Sequence, residues 1–272
     1  MVKSHLSSRC RIFIDGKPVS SDQVVQIPFS DAKPFVFESL RSYRGDIFRL
    51  EAHLDRLFES AKTIGFALPK TKTQLKRELT SCLARGLKQN VFLRLGVDER
   101  NSYVLVLERK RPDWIYEKGV GLKTAVTRRN FVNAEPPEAK VNAFFNNVLA
   151  FLDGKNSEIF DSILLDHDGY VTEGTIWNIF IVKGNVIWTP QTGILKGVTR
   201  QFVIECAQKQ NISISETNLT RHDLWNADEA FMTNTSGEIV PICSLDGRTI
   251  GRYVPGAITR KLTIQFRKTL PR

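Results

Sequence analysis

Short apolar segments that end at turn residues recur along the whole sequence, and this pattern constrains the fold more than any other feature. Residues 12–19 alternate around Asp15-Gly16, which predicts a β-hairpin, and residues 35–50 predict two strands around Arg44-Gly45-Asp46. Predicted strands outnumber helices, and the glycine-rich phosphate-binding motifs of dinucleotide-binding and P-loop proteins do not occur. The pattern therefore predicts an α+β chain rather than a nucleotide-binding βαβ fold.

Helical periodicity is clearest in the N-terminal half, where apolar residues recur at helical spacing in segments 50–64 and 75–87. Because Pro136-Pro137 interrupts the periodicity, we predict an N-terminal α+β domain at 1–127, a linker at 128–140 and a C-terminal domain at 141–272. Further helices are predicted at 142–152, 198–210 and 256–269, and strands at 91–97, 103–108, 120–126, 158–165, 169–172, 178–183, 186–189, 212–216 and 229–234.

The composition excludes several classes of protein. With 42% hydrophobic and 25% charged residues, the 272-residue chain does not resemble a disordered, collagen-like or coiled-coil protein. The net charge is +10, but the basic residues are scattered, so we expect no nucleic-acid partner. The absence of an 18-residue apolar run and of a signal-peptide pattern predicts a cytoplasmic protein without a membrane partner. Four widely spaced cysteines and four separated histidines predict no metal site.

Three segments of the C-terminal half contain candidate catalytic or ligand-binding residues. Lys140 lies between a proline-rich loop and an apolar segment, where desolvation would favour a nucleophilic amine, although a solvated loop lysine is the alternative. Glu173 lies at the end of a predicted strand, where its carboxylate would keep a heteroaromatic nitrogen protonated. The alternative is a strand-end glutamate that faces water. Gly197 and Thr199 begin a predicted helix whose free N–H groups and hydroxyl would bind an anion. The alternative is that Thr199 is only the N-cap of the helix. A hydroxyl-rich cluster at 233–238 would supply further phosphate donors or form a polar turn.

The order of these segments resembles that of the fold-type IV pyridoxal-phosphate enzymes, which include branched-chain aminotransferases, D-amino-acid aminotransferases and aminodeoxychorismate lyases. The likeness covers nearly the whole chain, and Lys140 precedes Glu173 by a spacing similar to that between the family's Schiff-base lysine and pyridine-binding glutamate. The other matching segments are Phe-Glu-Ser-Leu-Arg at 37–41, the Leu-x-x-His-x-x-Arg-Leu helix at 50–57, Asp-Gly-Tyr-Val-Thr-Glu-Gly at 168–174 with Asn178, Gly-Ile-Leu-Lys-Gly-Val-Thr-Arg at 193–200, and 227–235.

The resemblance implies a two-domain class IV aminotransferase-like fold, with a smaller N-terminal α/β domain and a larger C-terminal domain built on a mixed, barrel-like sheet. It also implies pyridoxal 5'-phosphate as cofactor, with Lys140 as the catalytic residue that forms the Schiff base and Glu173 as the partner of the pyridine nitrogen. The implied cofactor-binding residues are Arg56, Lys140, Glu173, Leu195, Val198, Thr199 and Thr235, and the implied substrate-binding residues are Phe37, Arg41, Arg94, Ser236 and Gly237.

The function implied by this likeness is transfer of an amino group between an amino acid and a 2-keto acid. Elimination of pyruvate by an aminodeoxychorismate-lyase-like enzyme, or a non-catalytic family member, is the alternative. Segments 30–35 and 97–101 depart from the family's patterns, and Phe92 and Phe145 stand where the family commonly has tyrosines. These departures leave the amino acid, its stereochemistry and the keto acid open. The family usually forms homodimers, so the resemblance implies a homodimer here.

Overall fold

The computed structural model describes residues 10–19, 35–85, 90–142, 144–154 and 159–271. These residues form two compact units. The first contains the described residues up to Lys110 together with 139–142 and 270–271, and the second contains the described residues of 111–138 and 144–269. This division differs from the boundary expected at 128, because residues 120–124 form a strand that pairs with strands of the second unit. Two sequence-based expectations, the departure at 30–34 and the contribution of Leu87 to a helix, lie outside the described residues.

The first unit is a six-stranded antiparallel sheet with two helices packed against it. The strands follow the order β2-β1-β6-β5-β3-β4 across the sheet. The elements are β1 (Cys10–Ile14), β2 (Lys17–Val19), β3 (Val36–Tyr43), β4 (Asp46–Ile47), α1 (Leu50–Thr63), α2 (Lys72–Arg85), β5 (Phe92–Val97) and β6 (Ser102–Leu107). Leu54 and Leu57 of α1, and Leu75 and Leu79 of α2, lie fully buried in the core of this unit. The apolar stripes predicted from helical spacing therefore pack onto the sheet.

The predicted hairpin at the start of this unit joins β1 and β2. Asp15 and Gly16 both adopt positive φ angles, of 48° and 73°, as a two-residue turn between antiparallel strands requires. Glycine accepts this backbone conformation at no steric cost, and aspartate tolerates it better than most residues. The Asp-Gly sequence is therefore the local reason for the hairpin.

The second unit is built around a closed sheet. Its elements are α3 (Trp114–Glu117), β7 (Val120–Thr124), α4 (Phe145–Gly154), β8 (Asp161–Leu165), β9 (Val171–Gly174), β10 (Asn178–Lys183), β11 (Val186–Thr189), α5 (Val198–Lys209), β12 (Ile214–Glu216), α6 (Arg221–Trp225), β13 (Glu229–Asn234), β14 (Glu238–Leu245), β15 (Arg248–Thr249) and α7 (Ala257–Lys268). Strands β10, β13, β14, β7, β8 and β9 pair in that order, and β9 pairs back to β10 through Glu173 and Asn178. The result is the barrel-like mixed sheet expected from the resemblance.

Candidate active site

Glu173 lies at the closing pair of the barrel, and its side chain is only 7% exposed. One carboxylate oxygen, Oε2, accepts hydrogen bonds from the backbone N–H of Leu195 at 3.0 Å and from Nδ2 of Asn178 at 3.2 Å. The other, Oε1, lies 3.1 Å from Nη2 of Arg129. These partners are two N–H donors and a cation, which together stabilise an ionised carboxylate. The strand-end glutamate is therefore buried and positioned, rather than solvated.

Arg129, the ion-pair partner of Glu173, is not among the candidate residues identified from the sequence. Its Nη1 donates to Oδ1 of Asn147 at 2.6 Å, and Nδ2 of Asn147 donates to the backbone carbonyl of Thr175 at 2.8 Å. The side chain of Arg129 is 13% exposed. The sequence showed only a pair of arginines at 128–129, and nothing local distinguishes such a pair from a solvated basic cluster.

The first turn of α5 lies beside this carboxylate. Gly197 occupies the N-cap position without a side-chain cap, so the alternative in which Thr199 caps the helix is wrong, and Val198 and Thr199 are buried in the first turn. A Cβ at Gly197 would lie only 2.1 Å from Oδ1 of Asn178, so glycine is required for this approach. The backbone N–H groups of a helix's first turn bind anions, which makes this helix start suitable for a phosphate.

A polar turn joins β13 to β14 and contains the other predicted hydroxyl residues. Thr235 is half-buried, whereas Ser236 and Gly237 are buried. The hydroxyl of Ser236 donates to Oδ1 of Asn234 at 3.2 Å, and the backbone N–H of Gly237 donates to the same oxygen at 2.7 Å. Thr233, opposite Asn178 in the sheet register, has a buried hydroxyl oxygen without a hydrogen-bond partner among the described residues.

In the first unit, a buried ionic cluster fixes Arg56. Its Nε and Nη2 each donate to one oxygen of Glu38 at 2.7 Å, and Nδ1 of His53 lies 2.7 Å from Oε2 of the same carboxylate. Burial alone would raise the pKa of Glu38, but the charge of Arg56 and the contacts with His53 outweigh it and lower this pKa to about 2. Burial lowers the pKa of His53 despite the neighbouring carboxylate. Glu38 is therefore ionised and orients the guanidinium.

The segment that contains Lys140 is held against β3 in the same unit. The backbone N–H of Lys140 donates to the hydroxyl of Ser60 at 2.9 Å, and its carbonyl accepts from the backbone N–H of Phe37 at 3.0 Å. Nζ of Lys140 lies 4.5 Å from the centre of the Phe37 ring, and the guanidinium carbon of Arg94 lies 4.7 Å from the same centre. The lysine is half-buried, and its amine rests on an aromatic face rather than extending from a solvated loop.

Two other residues named from the sequence occupy different environments. Arg41 is half-buried, and its guanidinium carbon lies 5.0 Å from the centre of the Tyr43 ring. Phe145, which stands where the family commonly has a tyrosine, is the first residue of α4 and is 69% exposed.

Within the described parts of the chain, no group of three histidine, cysteine or acidic side chains could hold a metal ion. No helix formed by the described residues has the length and apolar character needed to cross a membrane.

The second unit is thus a closed barrel with an ion-paired glutamate at its closing pair, and in the first unit a lysine amine lies over an aromatic ring. The family profile described as amino-transferase class IV matches residues 35–245. The chain belongs to this family.

Relatives and solved structures agree with this assignment. A putative branched-chain-amino-acid aminotransferase from Methanocaldococcus jannaschii is 35% identical, with 94% of this chain and 95% of the relative covered. D-alanine aminotransferase from Bacillus licheniformis is 30% identical, with 86% and 87% covered. The crystal structure of a branched-chain aminotransferase from the archaeon Thermoproteus uzoniensis with norvaline has a TM-score of 0.84 and 31% identity, with 95% and 93% covered.

These matches confirm the fold class, the family, the pyridoxal-phosphate cofactor and the transaminase activity expected from the sequence, and they favour transamination over the lyase alternative. The second unit also fits the cofactor on its own geometry. A buried carboxylate in a donor-rich setting suits a protonated pyridine nitrogen, and the first turn of α5 suits a phosphate. The buried hydroxyl of Thr233, opposite Asn178, has no hydrogen-bond partner among the described residues, so its hydrogen-bonding capacity is left for a polar group of a ligand.

Proposed function

We propose that Lys140 and Glu173 are the two residues on which transamination by this chain depends. The observation that carries the proposal is the buried Glu173 carboxylate, which receives N–H donors and a guanidinium and remains an acceptor. Pyridoxal phosphate, when bound, supplies an electron-accepting ring that stabilises negative charge at the substrate Cα. Glu173 would hold a proton on the ring nitrogen, because an ionised carboxylate favours the charged form of a neighbouring base.

Lys140 would hold the cofactor covalently through Nζ and, once released by the substrate amine, would move a proton. Its backbone is fixed on both sides, by Ser60 and by Phe37 of β3, while the amine lies over an aromatic face. In this role Nζ would take the proton from the substrate Cα and return it to a carbon of the cofactor. The fixed backbone limits the positions that the amine can adopt, which favours a single direction of approach.

The remaining proposed roles concern binding. The first turn of α5 supports the assignment of Val198 and Thr199 to the phosphate, and we propose that Arg56 and Thr235 bind it too. Leu195 would pack against one face of the ring. The proposed substrate-binding residues are Phe37, Arg41, Arg94, Ser236 and Gly237. Since guanidinium groups pair with carboxylates in a fixed fork geometry, the two arginines suit an amino acid and a 2-keto acid as substrates.

A spectroscopic titration tests the proposal and determines the stereochemistry. The holoenzyme is titrated separately with the L- and D-forms of leucine and alanine, because the relatives include enzymes named for branched-chain amino acids and for D-alanine. One enantiomer should bleach the visible band of the bound cofactor, and a 2-keto acid should restore it. A band that none of the amino acids changes would contradict the assignment to simple amino-acid substrates.

Substitution of the lysine tests its catalytic role directly. Lys140→Ala should lower turnover by about 10²–10⁴-fold, because the residue that moves the proton is removed. Lys62→Ala is the matched control, since Lys62 is an exposed lysine of the same unit. Equal turnover of Lys140→Ala and the control would refute the assignment.

We also propose a cytoplasmic homodimer. The exposed apolar side chains of α4, which include Phe145, Phe151 and Leu152, support a second copy of the chain as a partner. Sedimentation equilibrium of the holoenzyme measures the oligomeric state. A mass of one chain at micromolar concentration would contradict the proposal.

A further inference from the structure

Asp161 is a buried acid at the start of β8, and its carboxylate accepts two hydrogen bonds from Thr175, in the turn that follows Glu173. Its Oδ1 accepts a hydrogen bond from the Thr175 hydroxyl at 2.6 Å, and its Oδ2 accepts one from the Thr175 backbone N–H at 3.2 Å. The residue between Glu173 and Thr175 is Gly174, at which a Cβ would lie 3.0 Å from Oδ2 of Asp161. The absence of a side chain at Gly174 therefore lets the carboxylate approach this turn closely.

Thr175 is in turn part of a closed circuit that returns to Glu173. Its carbonyl accepts from Asn147 at 2.8 Å, Asn147 accepts from Nη1 of Arg129 at 2.6 Å, and Nη2 of Arg129 reaches Glu173 at 3.1 Å. The backbone from 175 to 173 completes the circuit. Glu173 in the circuit and Asp161 attached to it are both buried, each 5% exposed as a whole residue.

Burial of the Asp161 carboxylate costs free energy, because its charged form is removed from water. Desolvation raises the pKa of Asp161 to about 6, although the hydrogen bonds from Thr175 and the positive charge of Arg111 act in the opposite direction. An apolar side chain would avoid this cost. What the carboxylate adds is a two-point attachment for Thr175, and a buried polar network of this kind specifies one arrangement of its members.

We propose that Asp161 is a positioning residue for Glu173, which it holds toward the cofactor's ring nitrogen through Thr175, Asn147 and Arg129. This inference rests on the proposed role of Glu173. In the intact circuit the carboxylate has one orientation, with Oε1 directed to Arg129 and Oε2 to Leu195. When the attachment at Thr175 is lost, Asn147 and Arg129 lose their common anchor, and the carboxylate adopts several orientations.

Two threonines of the same region provide a matched test. Thr175→Val removes the hydroxyl that donates to Asp161, whereas Thr172→Val removes a hydroxyl on β9 that donates to the backbone carbonyl of Leu164 at 2.9 Å. Both threonines are buried, at 6% and 1% exposure. The variants therefore lose comparable buried hydrogen bonds, and only Thr175→Val removes a bond that attaches the circuit to Asp161. Thr175→Ser keeps the hydroxyl and serves as the conservative rescue.

The readouts are the dissociation constant of pyridoxal phosphate, measured by equilibrium dialysis, and the ¹⁵N chemical shift of its ring nitrogen in the loaded protein. Thr175→Val should weaken binding about tenfold and move the shift toward that of the unprotonated ring, because one buried hydrogen bond is lost and the carboxylate is less well aligned. Thr172→Val should leave both readouts near the wild-type values, and Thr175→Ser should restore them. Equal values for Thr175→Val and Thr172→Val would overturn the inference.

Further variants keep the test decisive. If Thr175→Val does not fold, Asn147→Ala opens the same circuit on α4 and should produce the same two changes; an unchanged ¹⁵N shift in Asn147→Ala would equally overturn the inference. Glu173→Gln separates this inference from the proposal on which it rests. A ¹⁵N shift that changes in Glu173→Gln but not in the circuit variants overturns only the role of Asp161, whereas no change in Glu173→Gln overturns the role of Glu173 itself.

Discussion

Glu38 shows how a single buried carboxylate can link stability to the orientation of a neighbouring guanidinium. Its pKa lies near 2, below the ordinary value of 4.5, so its ionised form is favoured in the folded state. The corresponding stabilisation is fully present above pH 4.5 and is lost as the pH falls toward 2. A shift of this size corresponds to about 3 kcal/mol.

Glu38→Gln should therefore lower the free energy of unfolding by about 3 kcal/mol at pH 7, because a buried guanidinium loses its counter-charge. The difference from wild type should shrink as the pH falls below 4.5, where the wild-type carboxylate begins to lose its advantage. Urea denaturation at about pH 7 and about pH 3.5 measures both values. Glu59→Gln, at an exposed position of α1, the helix that carries Arg56, should change neither value by more than about 0.5 kcal/mol.

Asp161 has the opposite dependence on pH. Its pKa is raised to about 6 from 3.8, so the folded state binds the proton more tightly than the unfolded chain, and stability falls as the pH rises from about 4 to about 6. Asp161→Asn does not titrate. The free energy of unfolding of this variant should therefore rise by about 3 kcal/mol relative to wild type between about pH 4 and pH 7. Urea denaturation across this range measures the change, and a difference that is independent of pH would contradict the raised pKa.

At the scale of whole elements, local signals predicted the structure well where the contacts are local. The turn at Asp15-Gly16 and the apolar stripe of α1 sufficed to predict a hairpin and a helix, and β10, β11 and β13 have the predicted bounds. Strand β14 was missed, because Pro241 lies in its middle and a proline normally indicates a strand edge or a break. This strand pairs with β7, more than 100 residues earlier, and no local pattern reveals such a pairing.

The same distinction separates the candidate site residues that the sequence pointed to from those that only the structure brings beside Glu173. Lys140 and Glu173 lie in motifs whose composition is unusual. Arg129, Asn147 and Asp161 have ordinary sequence surroundings, and they join the site through side-chain contacts that span 14 to 28 residues. Such contacts depend on how strands and helices pack together, which the sequence pattern does not specify.

The start of α5 yields a prediction at this scale. Gly197→Ala should weaken pyridoxal phosphate binding about tenfold, because the added methyl group would displace Asn178, which bonds to both Glu173 and the carbonyl of Leu195. The backbone of Gly197, with φ of −65° and ψ of 136°, accepts alanine, so the expected effect is local. Equilibrium dialysis measures it. Gln201→Ala, which changes an exposed side chain of the same helix, should bind the cofactor as wild type does.

For the molecule as a whole, the cofactor contributes to stability because it binds the folded chain. At a free concentration about one hundred times its dissociation constant, pyridoxal phosphate should raise the free energy of unfolding by about 3 kcal/mol. Calorimetry of the apoprotein and the reloaded protein should show a melting temperature that is higher by several degrees, roughly 2–4 °C for each kcal/mol. Identical melting temperatures would contradict cofactor binding to the folded state.

The segment that carries Lys140 has a consequence for how the gene can be divided. Residues 139–142 belong to the first unit, yet on both sides their neighbours in sequence belong to the second. A fragment that ends at Lys110 lacks Lys140, and a fragment that begins at Arg111 contains Lys140 without β3, to which the backbone of this lysine bonds. No single cut therefore yields two fragments that each retain a complete unit, and any split version of this enzyme has to place the lysine by fragment complementation.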